Sequence, residues 1–177
     1  TNDWQYYMDR YCGAMKIPAK GEKEKYTNFY LKRKNKASWY DLTQVEKDEL
    51  KQLLIKEIRK NPTCKFYLGG YGDFDSLCLR TLRELKTDFP DIELLFITPY
   101  LDNNYSKLQL AKYYYDDVIF PPIENVPRKF AILKRNEWMV DSAELVIAYV
   151  KYSWGGAAKT LEYAKRKKVP IINIAQS

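Results

Sequence analysis

Two glycine-bearing segments have the residue types of ligand-contacting turns. The first is Leu68-Gly69-Gly70-Tyr71-Gly72-Asp73-Phe74-Asp75. Its glycines permit a tight turn and a close approach of backbone to a bound molecule. A helix opening behind them brings N–H groups and a positive dipole end, which suit phosphate. Asp73 or Asp75 could cap that helix or accept hydrogen bonds from ribose hydroxyls. A strand-to-helix turn with an aspartate cap explains the same residues without a ligand. The spacing is not the Gly-x-Gly-x-x-Gly of dinucleotide enzymes, and a Walker Lys-Ser/Thr is missing. The second segment is Tyr152-Ser153-Trp154-Gly155-Gly156-Ala157-Ala158-Lys159-Thr160. Here Gly155 and Gly156 make a second anion cradle. Ser153 and Thr160 offer hydroxyls, Lys159 a cation and Trp154 a stacking face. A Gly-rich connection with core alanines is the alternative. A third set, Arg135-Asn136-Glu137-Trp138-Met139, holds a guanidinium able to grip a phosphate bidentately, or else a solvated Arg and a capping Trp. The chain has no histidine. Ser-His-Asp and Cys-His mechanisms are therefore excluded, and acid–base work would fall to carboxylates, Tyr, Lys or Cys.

These residues must be positioned by the elements around them. Thr43 with Glu46 reads as a capping box, opening a helix with Leu50, Leu53, Leu54 and Ile58 at helical spacing. Asn61-Pro62 ends it. Cys64 to Leu68 reads as a strand running into the first glycine segment. A helix carrying Phe74, Leu77, Cys78, Leu82 and Leu85 follows. Ile92 to Thr98 is nearly all apolar, as expected of a strand covered on both faces. Asn103 to Tyr115 reads as a short helix and Val118 to Phe120 as a short strand. Pro127 suits the first turn of another helix, with Phe130, Leu133, Glu137 and Val140 on one face. Leu145 to Val150 is a further strand, ending in the second glycine segment. A helix from about Ala157 to Lys168 and a strand from Val169 to Ile174 complete the series. Strands alternating with helices imply βαβ units. The expected fold is α/β, a Rossmann-like parallel sheet of about five strands with helices on both faces. Ligands in such sheets bind outside the carboxyl ends of the strands, which is where both glycine segments fall.

Strand–Gly-Gly-x-Gly-x-Phe-Asp, then Arg-Asn-x-x-Met in a helix, then a strand with Gly-Gly and a Thr before the final helix resembles the SLOG superfamily. This Rossmann-like group includes YpsA-like proteins, DprA and the Lonely Guy phosphoribohydrolases. The likeness spans roughly residues 43–175 and is nearest to the YpsA-like branch. It implies binding of nucleotides, nucleotide-derived signals or ADP-ribose-like compounds, with Gly69, Gly70, Asp75, Arg135, Asn136, Gly155, Gly156 and Thr160 lining the site. Two departures stand out. The Gly-His-Arg strand with which YpsA-like members usually open has no counterpart. The catalytic Glu of the phosphoribohydrolases, and of nucleoside deoxyribosyltransferases, falls on Tyr163. Glu162 is adjacent, about 100° away around a helix.

Three readings follow. The leading one is binding or sensing of a nucleotide-derived small molecule (nucleotide, ADP-ribose-like or cyclic nucleotide signal) at the two glycine loops, without catalysis and without cofactor or metal. The second is a nucleotide N-glycosidase, phosphoribohydrolase or deoxyribosyltransferase using Glu162. The third is a nucleic-acid or protein-binding, inhibitory module in residues 1–42, a basic, Tyr-rich extension ahead of the ligand-binding domain at 43–177. There Tyr26 to Leu31 could supply an edge strand. Lys32 to Lys36 lies among Phe29, Tyr30, Trp39 and Tyr40, a mixture that suits single strands. Residues 1–60 hold 14 of the 30 Lys and Arg and 9 of the 23 Asp and Glu, so most of the net charge of +7 sits there. The 16 tyrosines imply half-buried surface, a ligand site or an interface. Tyr113-Tyr114-Tyr115 is the candidate surface for a homodimer. Cys12, Cys64 and Cys78 form no Cys-x-x-Cys pair, which fits reduced thiols in a cytoplasmic protein. No run approaches the ~20 apolar residues of a membrane span, and no signal peptide is legible.

Overall fold

The computed structural model describes residues 42–175. The Tyr26–Leu31 strand, the Lys32–Lys36 patch with its aromatics, and Cys12 lie outside them. The capping box forms as expected. Thr43 Oγ1 accepts the Glu46 N–H at 3.1 Å, and Glu46 Oε1 accepts the Thr43 N–H at 3.2 Å. Helix α1 (Gln44–Lys60) follows and closes at Asn61. Then come β1 (Lys65–Leu68), α2 (Asp73–Leu85), β2 (Glu93–Ile97), α3 (Ser106–Tyr114) and β3 (Asp117–Ile119). Pro127 opens a 3-10 turn (Arg128–Phe130), not an α-helix, and α4 (Ala131–Asp141) continues from it. The described chain ends with β4 (Val146–Ala148), α5 (Gly156–Arg166) and β5 (Ile171–Asn173).

Among the described residues all strand pairings are parallel, and they form two small open sheets. One has the order β1-β2-β3 and the other pairs β4 with β5. Leu68 stands opposite Phe96, Phe96 opposite Val118, and Ala148 opposite Asn173. The expected sheet of about five strands is thus divided into three and two. An apolar run specifies that a segment is buried, but it does not specify which backbone edge it pairs with.

Alternation of side chains along β1 puts helices on its two faces. Phe66 and Leu68 join a core built from Leu50, Leu54 and Ile58 of α1 and Cys78, Leu82 and Leu85 of α2. Ile147 and Tyr149, at β4, pack against that same core, as does Cys64. Tyr67 points the other way and meets Trp138 of α4 at 5.7 Å between ring centroids. Burial pushes both thiols, Cys64 and Cys78, above the ordinary cysteine range, as befits buried thiols that pack and do not react.

Of the stripe expected on α4, Val140 is buried but its other apolar residues are not. Phe130 and Leu133 are exposed, at 45% and 36%, while Ala131, Arg135 and Val140 are buried. The inward stripe therefore runs through an arginine. Tyr113 and Tyr114 stay exposed as expected of surface. Tyr115 turns inward and stacks on Phe96 at 5.1 Å, so the tyrosine run is not one continuous face.

Asp116 joins β2 to β3. Its N–H donates to Leu94 O at 2.8 Å, and its Oδ2 accepts the Leu94 N–H at 2.7 Å. Lys86 also bonds its Oδ1. Burial raises this carboxyl's pKa, but the bonds from Lys86 and Leu94 outweigh it and hold it below the usual range. A depressed folded value means that the charged form stabilises the fold at pH values above the unfolded carboxylate pKa of about 3.9. That contribution is lost as pH falls below there, through the folded value. Asp116→Asn should lower urea stability at neutral pH and flatten its decline below about pH 4, read from urea curves across an acid series.

Candidate functional site

The first glycine segment leaves β1 at its carboxyl end, and its amides are already engaged. The Gly69 N–H donates to Asp75 Oδ1 and the Gly70 N–H to Asp75 Oδ2, both at 2.9 Å. Asp75 therefore caps no helix end. Gly72 holds the N-cap position of α2, with no side-chain bond to it, and Asp75 reaches back from the first turn to clamp the loop before it. Gly70 has φ +75°, and a Cβ placed there would lie 2.7 Å from Phe96 Cε2. The turn exists because this residue has no side chain. Asp73 begins α2 beside it.

Beneath the loop lies Arg135, 1% exposed. Its Nη1 donates to Gly69 O at 2.8 Å and to Ile97 O at 2.6 Å, tying the carboxyl ends of β1 and β2 together. Its Nε donates to Asn136 Oδ1 at 2.9 Å. The Asn136 amide then donates to Thr160 Oγ1 at 3.3 Å, and that hydroxyl donates to Gly156 O at 3.0 Å. One hydrogen-bonded chain thus runs from Asp75 and Gly69 through Arg135, Asn136 and Thr160 to Gly156. It unites seven residues singled out by sequence, counting Gly70. The chain is buried at Arg135, where both carbonyl bonds lie in the interior, and reaches the surface at Thr160 and Gly156.

Burial pushes the Asp75 carboxyl above the usual carboxylate range. The Gly69 and Gly70 N–H groups oppose this, as do Arg135 and Lys107. Burial lowers Lys107, whose ammonium bonds Gly70 O and lies 4.4 Å from the Tyr71 ring centroid. Tyr105 donates to the Tyr71 hydroxyl at 3.0 Å and packs edge-on against Tyr100 at 5.3 Å. Sequence reading named Tyr71 only as a member of the first glycine segment and missed Lys107, Tyr100 and Tyr105. Their only signal was the excess of tyrosine, because a helix lysine and scattered tyrosines carry no spacing that marks them as neighbours.

The second glycine segment differs in kind. Gly155, φ +95°, is the N-cap of α5, and no side chain caps the helix. A Cβ added at Gly155 or Gly156 would meet nothing within 4 Å. Ser153, Trp154, Gly155 and Gly156 are all exposed. Trp154 is 75% exposed and stacks with Tyr152, 53% exposed, at 5.4 Å and 25°. Uncapped N–H groups and the positive end of the dipole face this open side.

Glu162 lies elsewhere on α5, six residues beyond Gly156, about 9 Å along the axis. It pairs with Lys165 at 3.2 Å. It lines a groove of about 300 Å³ with Leu133, Glu137, Ser153, Lys159 and Thr160. Tyr163, at the position where the phosphoribohydrolase motif has its Glu, donates to Asp141 Oδ2 at 2.8 Å and so braces α5 against α4. Among the described residues no cluster of His, Cys, Asp and Glu could hold a metal ion, and no helix is long and apolar enough to cross a membrane.

The arrangement defines a mixed α/β protein with parallel strands whose carboxyl ends carry two glycine turns, one internally clamped and one open. No protein-family model matches the chain, and no curated protein matches it.

Proposed function

We propose that this protein binds a nucleotide-derived small molecule at the carboxyl edge of a Rossmann-like, SLOG-type fold, without turning it over. The observation that supports this most is the hydrogen-bonded chain from Asp75 to Gly156. It links a clamped glycine turn to an open one through Arg135 and Asn136 of α4. Gly155 and Gly156 are then the residues that receive a phosphate, with Ser153 and Lys159 beside them. Gly69 and Gly70 act as a wall, because their N–H groups are held by Asp75. Arg135 supports the site from below instead of gripping the ligand. Glu162 shares a groove with Ser153 and Lys159, and its pairing with Lys165 is what favours binding over cleavage of an N-glycosidic bond.

Calorimetric titration with nucleoside monophosphates and diphosphates, ADP-ribose and cyclic dinucleotides tests the proposal. Saturable heat from at least one is expected, and no heat from any of them with folded protein would overturn it. Free base released on incubation with nucleoside monophosphates would contradict the absence of catalysis. Gly156→Ala separates binding from folding. It should leave stability unchanged or raise it by up to about 1 kcal/mol, since Ala is the better helix residue. The same methyl group obstructs the cradle, and nucleotide affinity should fall about tenfold, a loss of about 1.4 kcal/mol.

A further inference from the structure

Tyr152 and Trp154 leave large flat apolar surfaces in water. We infer that this stacked pair is the platform for the aromatic base of the ligand, so that the site selects nucleotides over sugar phosphates; this rests on the nucleotide-binding reading above. A tryptophan three-quarters exposed forgoes most of the hydrophobic stabilisation its ring can give. The two ring planes lie 25° apart, with centroids 5.4 Å apart. Two rings stacked on each other lose little freedom when a third planar ring is added, so the surface is organised in advance for one.

The chemistry around the pair fits a nucleotide. Ser153, between the two rings in sequence, provides a hydroxyl. Lys159, exposed, supplies positive charge for a phosphate. Gly155, with φ +95°, turns the chain directly after Trp154, and the space over it is open. The patch is too small for a stable protein interface, which needs roughly 800 Å² per partner. Residues 43–177 carry 21 Lys and Arg against 18 Asp and Glu, a net charge of only +3, which suits one phosphate group better than a long phosphate backbone. A single nucleotide is therefore the occupant.

The test compares adenosine 5′-monophosphate, ribose 5-phosphate and a single-stranded oligonucleotide on wild-type protein and on Trp154→Ala and Trp154→Phe. Adenosine monophosphate should bind more tightly than ribose 5-phosphate and quench tryptophan fluorescence. Trp154→Ala should weaken it about 5- to 150-fold, the range of one base stacked on one aromatic ring, and leave ribose 5-phosphate unchanged. Trp154→Phe should retain most of the affinity while losing the quenching, although three tryptophans remain. Because Trp154 is so exposed, thermal melting should be unaltered in both variants. Equal affinities for the two phosphates, with Trp154→Ala neutral, would overturn the platform and leave nucleotide binding standing. An oligonucleotide bound far more tightly than the monophosphate would overturn it in favour of a nucleic-acid surface. If none of the three ligands binds, the platform falls, and the nucleotide reading is decided by the wider panel of the titration above.

Discussion

Arg135→Ala should destabilise the protein by about 3–5 kcal/mol, the usual cost of deleting one partner from a buried charged network. The guanidinium serves two backbone carbonyls, Gly69 O and Ile97 O, with a single nitrogen. Each sits where a strand ends and no ladder neighbour takes over. Alanine would strand both acceptors in a site that excludes water and leave a void the size of the arginine head. It would also remove a cation that opposes the rise in the Asp75 pKa. Folded domains have only about 5–15 kcal/mol in total, so the variant should be marginal at 37 °C. Arg135→Lys should not rescue it fully, because an ammonium lacks the planar fork that reaches a strand end and Asn136 together. Urea midpoints of the three proteins measure this. A loss below about 1 kcal/mol for the alanine variant would show that the carbonyls find water, contrary to the burial of Arg135.

Gly70→Ala should cost about 3 kcal/mol. The left-handed backbone at φ +75° contributes about 1–2 of this for a residue with a Cβ. The rest is steric, because the new methyl would press on Phe96 Cε2 at 2.7 Å. Phe96 cannot withdraw easily: it is 1% exposed and lies between Tyr105 and Tyr115, at 6.4 and 5.1 Å. Overpacking of this sort typically costs about 1–3 kcal/mol. Gly72→Ala is the control. Its φ of +86° with ψ 165° lies in a region adopted almost only by glycine, but its Cβ would meet nothing within 4 Å, so backbone strain of about 1–3 kcal/mol alone should remain. A loss at Gly70 of only about 1–2 kcal/mol, the strain alone, again from urea midpoints, would mean that the contact with Phe96 is readily relieved.

How much of this was legible in the sequence depended on the range of the interaction. The α1 capping box was readable because Thr43 and Glu46 lie three residues apart and complete each other's bonds locally. The strands were readable as apolar runs between turn residues, and both glycine segments fell at strand ends as expected. The inward face of α4 was not, because a count of apolar residues treats Arg135 as surface. It is buried only because Gly69 and Ile97, distant in sequence, present carbonyls to it. The same applies to Asp75. Its position in the first turn of α2 reads as a cap, yet its partners are the amides of the preceding loop. Lys107 and its tyrosines meet only through the fold. The division of the strands into two sheets follows from backbone pairing, of which side-chain pattern carries little record.

The two glycine turns should therefore respond differently to ligand, and amide chemical shifts measure that directly. With ¹⁵N-glycine labelling the chain yields seven glycine signals. On titration with adenosine 5′-monophosphate, Gly155 and Gly156 should move progressively and saturate. Gly69 and Gly70, whose N–H groups are held by Asp75, should move far less. Shifts confined to Gly69 and Gly70, or no shift at any glycine at saturating ligand, would contradict the assignment of the open turn as the phosphate site.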